Sequence, residues 1–264
     1  MTGFTKAHAC GNDFLIVEGA CDPALAVRLC ARNTGVGADG VEFFTWTGER
    51  SGQIRLANAD GSIAEISGNG TRCVAAWMAH QKKAQAGTTF ELETDAGKRV
   101  CRLMRVEGHH FEFAAGMGIP AVQKKQVTLS DGTSVDGIFV SMGNPHFVIF
   151  VPDDGFESHG RSWQELGREI CFHPDFHEQT NVEFVSVTAT DTISIRIFER
   201  GVGPTTSSGT GTSATAAAAI VERGAKPSLL VKSPGGEQHV EWPGRDAELI
   251  LTGPAELIAT GEAW

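Results

Sequence analysis

Tyrosine is absent from the 264 residues, and so is any apolar run long enough to cross a bilayer. A membrane-spanning helix needs about 18 or more apolar residues in succession, so no helical span is expected. The opening MTGFTKAHACGNDF lacks the apolar h-region and small-residue cleavage site of a secretory signal, which points to a cytoplasmic location. A positive balance is missing too. Lys and Arg number 22 against 32 Asp and Glu, a net charge of −10, and the pI is about 5.4. A nucleic-acid partner is disfavoured, because such proteins present a basic surface. The six cysteines, Cys10, Cys21, Cys30, Cys73, Cys101 and Cys171, include no C-x-x-C pair. Reduced structural thiols are therefore expected, not a disulfide framework or a zinc site. There is no P-loop and no G-x-S-x-G elbow.

Two motifs come close and fail. Gly35-Val36-Gly37-Ala38-Asp39-Gly40 has the spacing of a dinucleotide fingerprint, but the fingerprint opens a helix and Val41–Phe44 reads as a strand. His173 and His177 stand four apart around a proline without a third ligand, and His109-His110 reads as a solvated loop. No metal and no cofactor are expected.

Glycine, with 32 residues, is abundant. Short apolar runs bounded by Gly, Asp and Asn read as strands: Phe14–Val17, Val41–Phe44, Phe90–Thr94, Phe139–Ser141, His146–Val151, Val182–Val187, Thr192–Phe198, Leu229–Val231 and Ala247–Leu251. Helical patterns are fewer: Pro23–Arg32, with Asp22 as N-cap and Pro23 at the first position, then Thr71–Ala84, Trp163–Ile170 and Thr212–Gly224. The fold class is α+β, strand-rich.

A repeat organises these elements. Gly11-Asn12-Asp13-Phe14 leads into an apolar strand, and so does Gly143-Asn144-Pro145-His146-Phe147. Each is followed by a Ser-Gly-x-Gly turn before an apolar helix, Ser67-Gly68-Asn69-Gly70 after 56 residues and Ser208-Gly209-Thr210-Gly211 after 65. The same features in the same order indicate a duplicated lobe, with domains at 1–120 and 121–264. The boundary lies near Pro120–Gln126, and the chain end is free to pack back on the N-terminal lobe.

Glycine lets a ligand approach the backbone, and the first N–H groups of a helix have no intrahelical partner. With the helix dipole they form an anion site. Two such helix starts, one per lobe, suit a small carboxylate held between them, with Ser67 and Ser208 directed at the adjacent carbon. For either turn alone, a plain serine N-cap is the better reading; for the pair it is not. Asn58-Ala59-Asp60-Gly61-Ser62 reads as an Asx-type turn. Arg200, after Glu199, suits a bidentate pair with a second carboxylate or a surface ion pair.

At this point the residues resemble a known family. KAHACGNDFLIVE, RNTGVGADGVEFF, NADGSIAEISGNGTRCVAAW, GNPHFVIF, TNVEF and ERGVGPTTSSGTGTSATA are similar, block after block from Lys6 to about Ala217, to the signatures of diaminopimelate epimerases. The resemblance implies two pseudo-symmetric lobes, each a β-sheet wrapped around a central helix. It implies cofactor-independent inversion of LL- to meso-diaminopimelate for lysine and peptidoglycan synthesis, often by a homodimer. In that family one cysteine thiolate removes the α-proton and a second thiol returns one on the opposite face. By position, Ser67 and Ser208 stand where those cysteines stand. Gly68, Asn69, Gly209 and Thr210 match residues that hold the α-carboxylate. Asn12, Asn58, Asn144, Asn181 and Arg200 match groups that grip the substrate, several at its distal amino-acid end. Glu199 matches a glutamate near the substrate's amino group, and His146 a histidine near the cysteine pair. The implied ligand is a small zwitterionic, dicarboxylic amino acid.

The departures concern the chemistry. Both cysteines are serine, Pro204 replaces a glutamate, and Ser207 replaces an alanine. A thiol ionises near pH 8.5 and lower beside a helix start, whereas a serine hydroxyl needs a neighbouring base. His146 is the one base the resemblance supplies, and it serves one face at most. Three readings follow: an epimerase whose cysteines were exchanged for serine deliberately, a diverged relative with another isomerase or lyase activity on an amino acid, or a non-catalytic amino-acid binder. The first explains the matched serines, and Pro204 and Ser207 favour the second.

Overall fold

The computed structural model describes residues 1–264. The chain divides into two compact units. Met1–Gly116 and Thr252–Trp264 form the first, and Met117–Leu251 form the second.

In the first unit β1 (Thr2–Ala9) turns through Cys10 and Gly11 into the antiparallel β2 (Asn12–Glu18). Both turn residues have positive φ, 52° and 79°, a conformation that glycine adopts without strain. Helix α1 (Pro23–Cys30) starts where the Asp22 carboxylate accepts from the Leu25 N–H at 3.0 Å, with Pro23 at its first position. It ends at Cys30, short of the expected Arg32, because the N–H groups of Val36 and Gly37 both take the Leu29 carbonyl. Strand β3 (Gly40–Trp46) then runs parallel to β2. The strand directly after Gly35–Gly40 removes the dinucleotide reading on structural grounds. β4 (Ser51–Asn58) is antiparallel to β3, and the short β5 (Ile63–Ala64) pairs with the end of β4. Helix α2 (Gly68–Gln81) leads to β6 (Thr89–Thr94), parallel to β4, and β7 (Gly97–Glu107) and β8 (His110–Gly116) follow in antiparallel hairpins. Every residue of α2 from Asn69 to Ala79 is buried, so the helix is the unit's core and has no solvent face. It packs with Phe14, Phe44, Phe90, Leu92 and Phe113 from the surrounding strands.

The second unit repeats this order. β9 (Ala121–Thr128) and β10 (Ser134–Ser141) form a hairpin, and β11 (Pro145–Val151) is antiparallel to β10. Helix α3 (Trp163–Cys171) opens with a capping box of Ser162 and Glu165. β12 (Asn181–Ala189) is parallel to β11, β13 (Thr192–Glu199) is antiparallel to β12, and β14 (Gly203–Thr205) closes on β13. Helix α4 (Gly209–Arg223) is the counterpart of α2, buried through Ala219 and ended by Gly224 at φ 65°. β15 (Ser228–Ser233) runs parallel to β13, and β16 (Gly236–Glu241) pairs with it. The last strand, β17 (Ile250–Ala263), returns to the first unit and pairs with β1, from Thr2↔Ala263 to His8↔Glu256.

Three expectations need correction. The strand expected over Ala247–Leu251 begins only at Ile250, since the Ala247 N–H closes a turn on Gly244 and its carbonyl takes the Trp242 indole at 3.0 Å. α2 and α4 begin at Gly68 and Gly209, not at Thr71 and Thr212, because the Gly-x-Gly segment is itself the first helical turn. Strands β1, β4, β5, β7, β8, β9, β14 and β16 lie outside the runs named as strands in the sequence. No helix is long and apolar enough to cross a membrane.

Candidate active site

Each unit carries its own set of the candidate residues, gathered at the start of its central helix. In the first, Ser67 caps α2 and its Oγ accepts from the Gly70 N–H at 3.1 Å. The amides of Gly68 and Asn69 precede the helical ladder and remain available to an anion. Asn69 Nδ2 donates to Asn12 Oδ1 at 3.3 Å, and Asn12 Nδ2 donates to Asp39 at 2.7 Å. Asp39 and Asp13 are in turn paired with Arg32, and Asp13 with Lys6 at 2.9 Å. The other face of Asn69 is fixed by Arg72, whose Nη2 donates to Asn69 Oδ1 at 2.5 Å. Arg72 is wholly buried, and that burial holds its pKa below the usual value. Asn58 is at the end of β4, and its Nδ2 donates to Ser62 Oγ at 3.0 Å. Asp60 accepts from the Ser62 N–H two residues on, so the segment is an Asx turn.

In the second unit Ser208 caps α4, and its Oγ accepts from the Gly211 N–H at 3.3 Å. Ser208 Oγ is 3.4 Å from Thr210 Oγ1, which accepts from Asn144 Nδ2 at 3.5 Å. Asn144 Oδ1 meets His146 Nε2 at 3.0 Å, and His146 Nδ1 meets Glu183 Oε1 at 2.7 Å. Both ring nitrogens of His146 are thus occupied, and it does not touch Ser208. Its link to the serine runs through Asn144 and Thr210. The resemblance offers His146 as a candidate base for one face at most, and here its ring bonds Asn144 and Glu183. Asn181 Oδ1 accepts from the Arg200 N–H at 2.9 Å. Arg200 is exposed and donates to the Glu178 carbonyl at 2.8 Å, in no ion pair with an acidic side chain. The Ser207 hydroxyl is buried without a hydrogen-bond partner.

Three carboxyls in these half-sites have raised pKa values. Burial alone pushes Glu42, on β3, up to about 8, and neither of its oxygens is hydrogen-bonded. Its Oε1 fills the space that a Gly70 side chain would need, which explains glycine at the third position of α2. Glu183, on β12, is the counterpart under Gly211, 3.0 Å from where a Cβ would lie. Burial raises its pKa, and His146 opposes the rise. Glu199 is pushed up to about 7, first by burial and then by the nearby Glu183. Glu42, Glu183 and Arg72 were not expected from the sequence. The only signal for the two acids was a glutamate inside an apolar run, Val41-Glu42-Phe43-Phe44 and Val182-Glu183-Phe184, where a buried charge demands an explanation.

Cys73 and Cys101 do not supply reactive thiols. Cys73, on α2, is fully buried and its pKa is pushed far up by that burial, and Cys101 is raised to about 12 for the same reason. His173 bonds the Thr128 carbonyl at 2.9 Å, and no cluster of three His, Cys, Asp or Glu side chains has metal-holding geometry.

Comparison with known proteins decides the family. The family profile "Diaminopimelate epimerase" matches residues 4–121 and 138–258. The chain belongs to the diaminopimelate epimerase family. The diaminopimelate epimerase of Desulforudis audaxviator is 36% identical over 98% of this chain and 98% of its own. That of Corynebacterium glutamicum is 36% identical over 98% and 97%. Among solved structures, a probable proline racemase from Agrobacterium radiobacter aligns with a TM-score of 0.74 at 14% identity, covering 100% of this chain and 93% of its own. A hydroxyproline epimerase from Agrobacterium vitis aligns at 0.72 and 19%, covering 98% and 90%. These structural relatives establish the shared fold, and the family profile and the curated relatives place the chain among the diaminopimelate epimerases.

Proposed function

We propose that this protein binds diaminopimelate and inverts its α-carbon without a cofactor, at a rate held down by the two serines. The observation that carries the reading is the pair of serine-capped Gly-x-Gly helix starts, each flanked by its asparagines. In the proposed complex the amides of Gly68, Asn69, Gly209 and Thr210 hold the α-carboxylate. Asn12, Asn58, Asn144, Asn181 and Arg200 grip the rest, and Glu199 receives the ammonium group. The negative charge that develops on the α-carboxylate as the proton leaves is stabilised by the same amides, already oriented by the helices. Ser67 and Ser208 occupy the acid/base positions, one for each face of the carbon. Their Oγ atoms accept from helix amides, which eases ionisation of a hydroxyl but does not bring it near neutral pH. The family resemblance also suggests a cytoplasmic homodimer, which sedimentation of the purified protein would check.

Titration calorimetry tests the reading. LL- and meso-diaminopimelate are expected to bind at millimolar concentration or below, while LL-to-meso conversion is slow. Absence of binding by both isomers would remove diaminopimelate as the ligand and leave the fold assignment intact.

A further inference from the structure

The block SGNGTRC places an arginine five residues after the capping Ser67, and the matching position after Ser208 is Ser213. Ser213 turns back on its own helix, with Oγ donating to the Gly209 carbonyl at 2.9 Å. Arg72 is only 2% exposed, so its charge does not reach solvent. It follows Asn69 by three residues and Gly68 by four, which puts all three on one side of α2. Helical side chains lean towards the N-terminus, and here the lean carries the guanidinium to the first turn, where Nη2 donates to Asn69 Oδ1 at 2.5 Å. Its other partners are the Pro254 carbonyl, 3.4 Å from Nε, and the Cys10 side chain. None of the three is a carboxylate. Cys73 and Cys101, which also act on this charge, are held protonated by burial, and Glu42 stays largely protonated below about pH 8. Burial lowers the pKa of Arg72, but a guanidinium starts so far above neutral that it stays charged. A buried charge is costly unless an opposite charge meets it. The first unit therefore holds a positive charge beside the first turn of α2, with no acidic side chain bonded to it.

We propose that Arg72 is a positioning residue of the first half-site: acting through Asn69, it makes the start of α2 select an anionic group, and the ligand's own carboxylate supplies the missing counter-charge. This rests on the diaminopimelate reading above and adds to it a residue that does not touch the ligand. Asn69 carries the effect. Its Oδ1 is pinned by Arg72 and its Nδ2 by Asn12, so the residue whose amide faces the carboxylate is held from both sides. The field of the guanidinium adds to that of the helix start. A unit charge about 7 Å from a carboxylate in partly screened surroundings changes its affinity by about tenfold or more. Helix α4, with Ser213 in place of the arginine, has only its amides and dipole for the same task.

Titration calorimetry on the full chain tests this by comparing LL-diaminopimelate with its bis-carboxamide, which has the same shape and no carboxylate charge. Arg72→Met removes the charge and keeps an unbranched side chain. It is expected to weaken binding of the acid by about tenfold or more and binding of the amide by no more than about threefold, because charge acts on charge. Arg72→Lys keeps the charge without the guanidinium fork and is expected to hold the acid's affinity within about threefold. This variant decides the matter if Arg72→Met does not fold. Cys10→Ser is expected to leave the acid's affinity within about twofold. Equal losses for acid and amide in Arg72→Met mark a purely structural arginine and overturn the proposal. A loss of tenfold or more in Arg72→Lys overturns it too. So does a tenfold rise in Cys10→Ser, which would show that a thiolate already neutralises Arg72. Failure of the unaltered chain to bind LL-diaminopimelate is the separate result that removes the diaminopimelate reading, and this proposal with it.

Discussion

At the scale of single residues, Glu42 shows how burial writes itself into pH dependence. Its carboxyl is raised from an ordinary 4.5 to about 8 by desolvation, with no partner to offset the cost. Between those values the folded chain keeps a proton that the unfolded chain releases. Stability is therefore fully present below about pH 4.5 and declines as pH rises towards 8. Glu42→Gln removes this dependence. Its advantage over the unaltered protein in urea unfolding is expected to grow by about 3 kcal/mol between pH 5 and pH 8. An advantage that is the same at both pH values would show that Glu42 is not a buried acid with a raised pKa. The catalytic positions were easier to read than this one. Ser67, Ser208 and the asparagines stand in polar, glycine-rich blocks whose order is visible in the chain. Glu42 and Glu183 each sit inside a strand of large apolar residues, and only the packing of β3 and β12 under the helix starts reveals that they are neighbours of Gly70 and Gly211.

Among the elements, the two central helices carry the site, and their first turns are shaped by what lies beneath. Alanine is normally better than glycine in a helix by about 1 kcal/mol. At Gly70 the sign is expected to reverse, because a Cβ would enter the space held by the buried Glu42 carboxyl. Gly70→Ala should lower stability in the unaltered background and raise it in a Glu42→Ala background, a coupling that chemical denaturation of the four proteins measures. Additivity across the cycle would mean that Glu42 does not fill that space. The apolar helices were legible because Cys73–Ala79 and Ala214–Ala219 are buried on every side. Their starts were placed three residues late, since Gly-x-Gly was read as a turn ahead of the helix, although a serine cap bonded to the third residue makes it the first turn. Strands such as β4 and β7 alternate buried and exposed positions along polar sequences, so their pattern is weaker than that of the mostly buried β3 or β11.

For the whole molecule, the duplication was visible in the repeated Gly-Asn and Ser-Gly-x-Gly segments, and the order of strand pairings is the same in both units. The assignment of Thr252–Trp264 to the first unit was less visible, because pairing of β17 with β1 joins the two ends of the chain and no local signal specifies such a partner. The central claim is that the chain keeps a diaminopimelate site whose activity is held down by the loss of its two thiols. The most direct measurement is the rate of LL-to-meso conversion by Ser67→Cys/Ser208→Cys beside the unaltered protein. The double variant is expected to convert at least about a thousandfold faster, equivalent to about 4 kcal/mol of barrier. A double variant that folds and binds diaminopimelate yet converts it no faster than the serine form would contradict that claim.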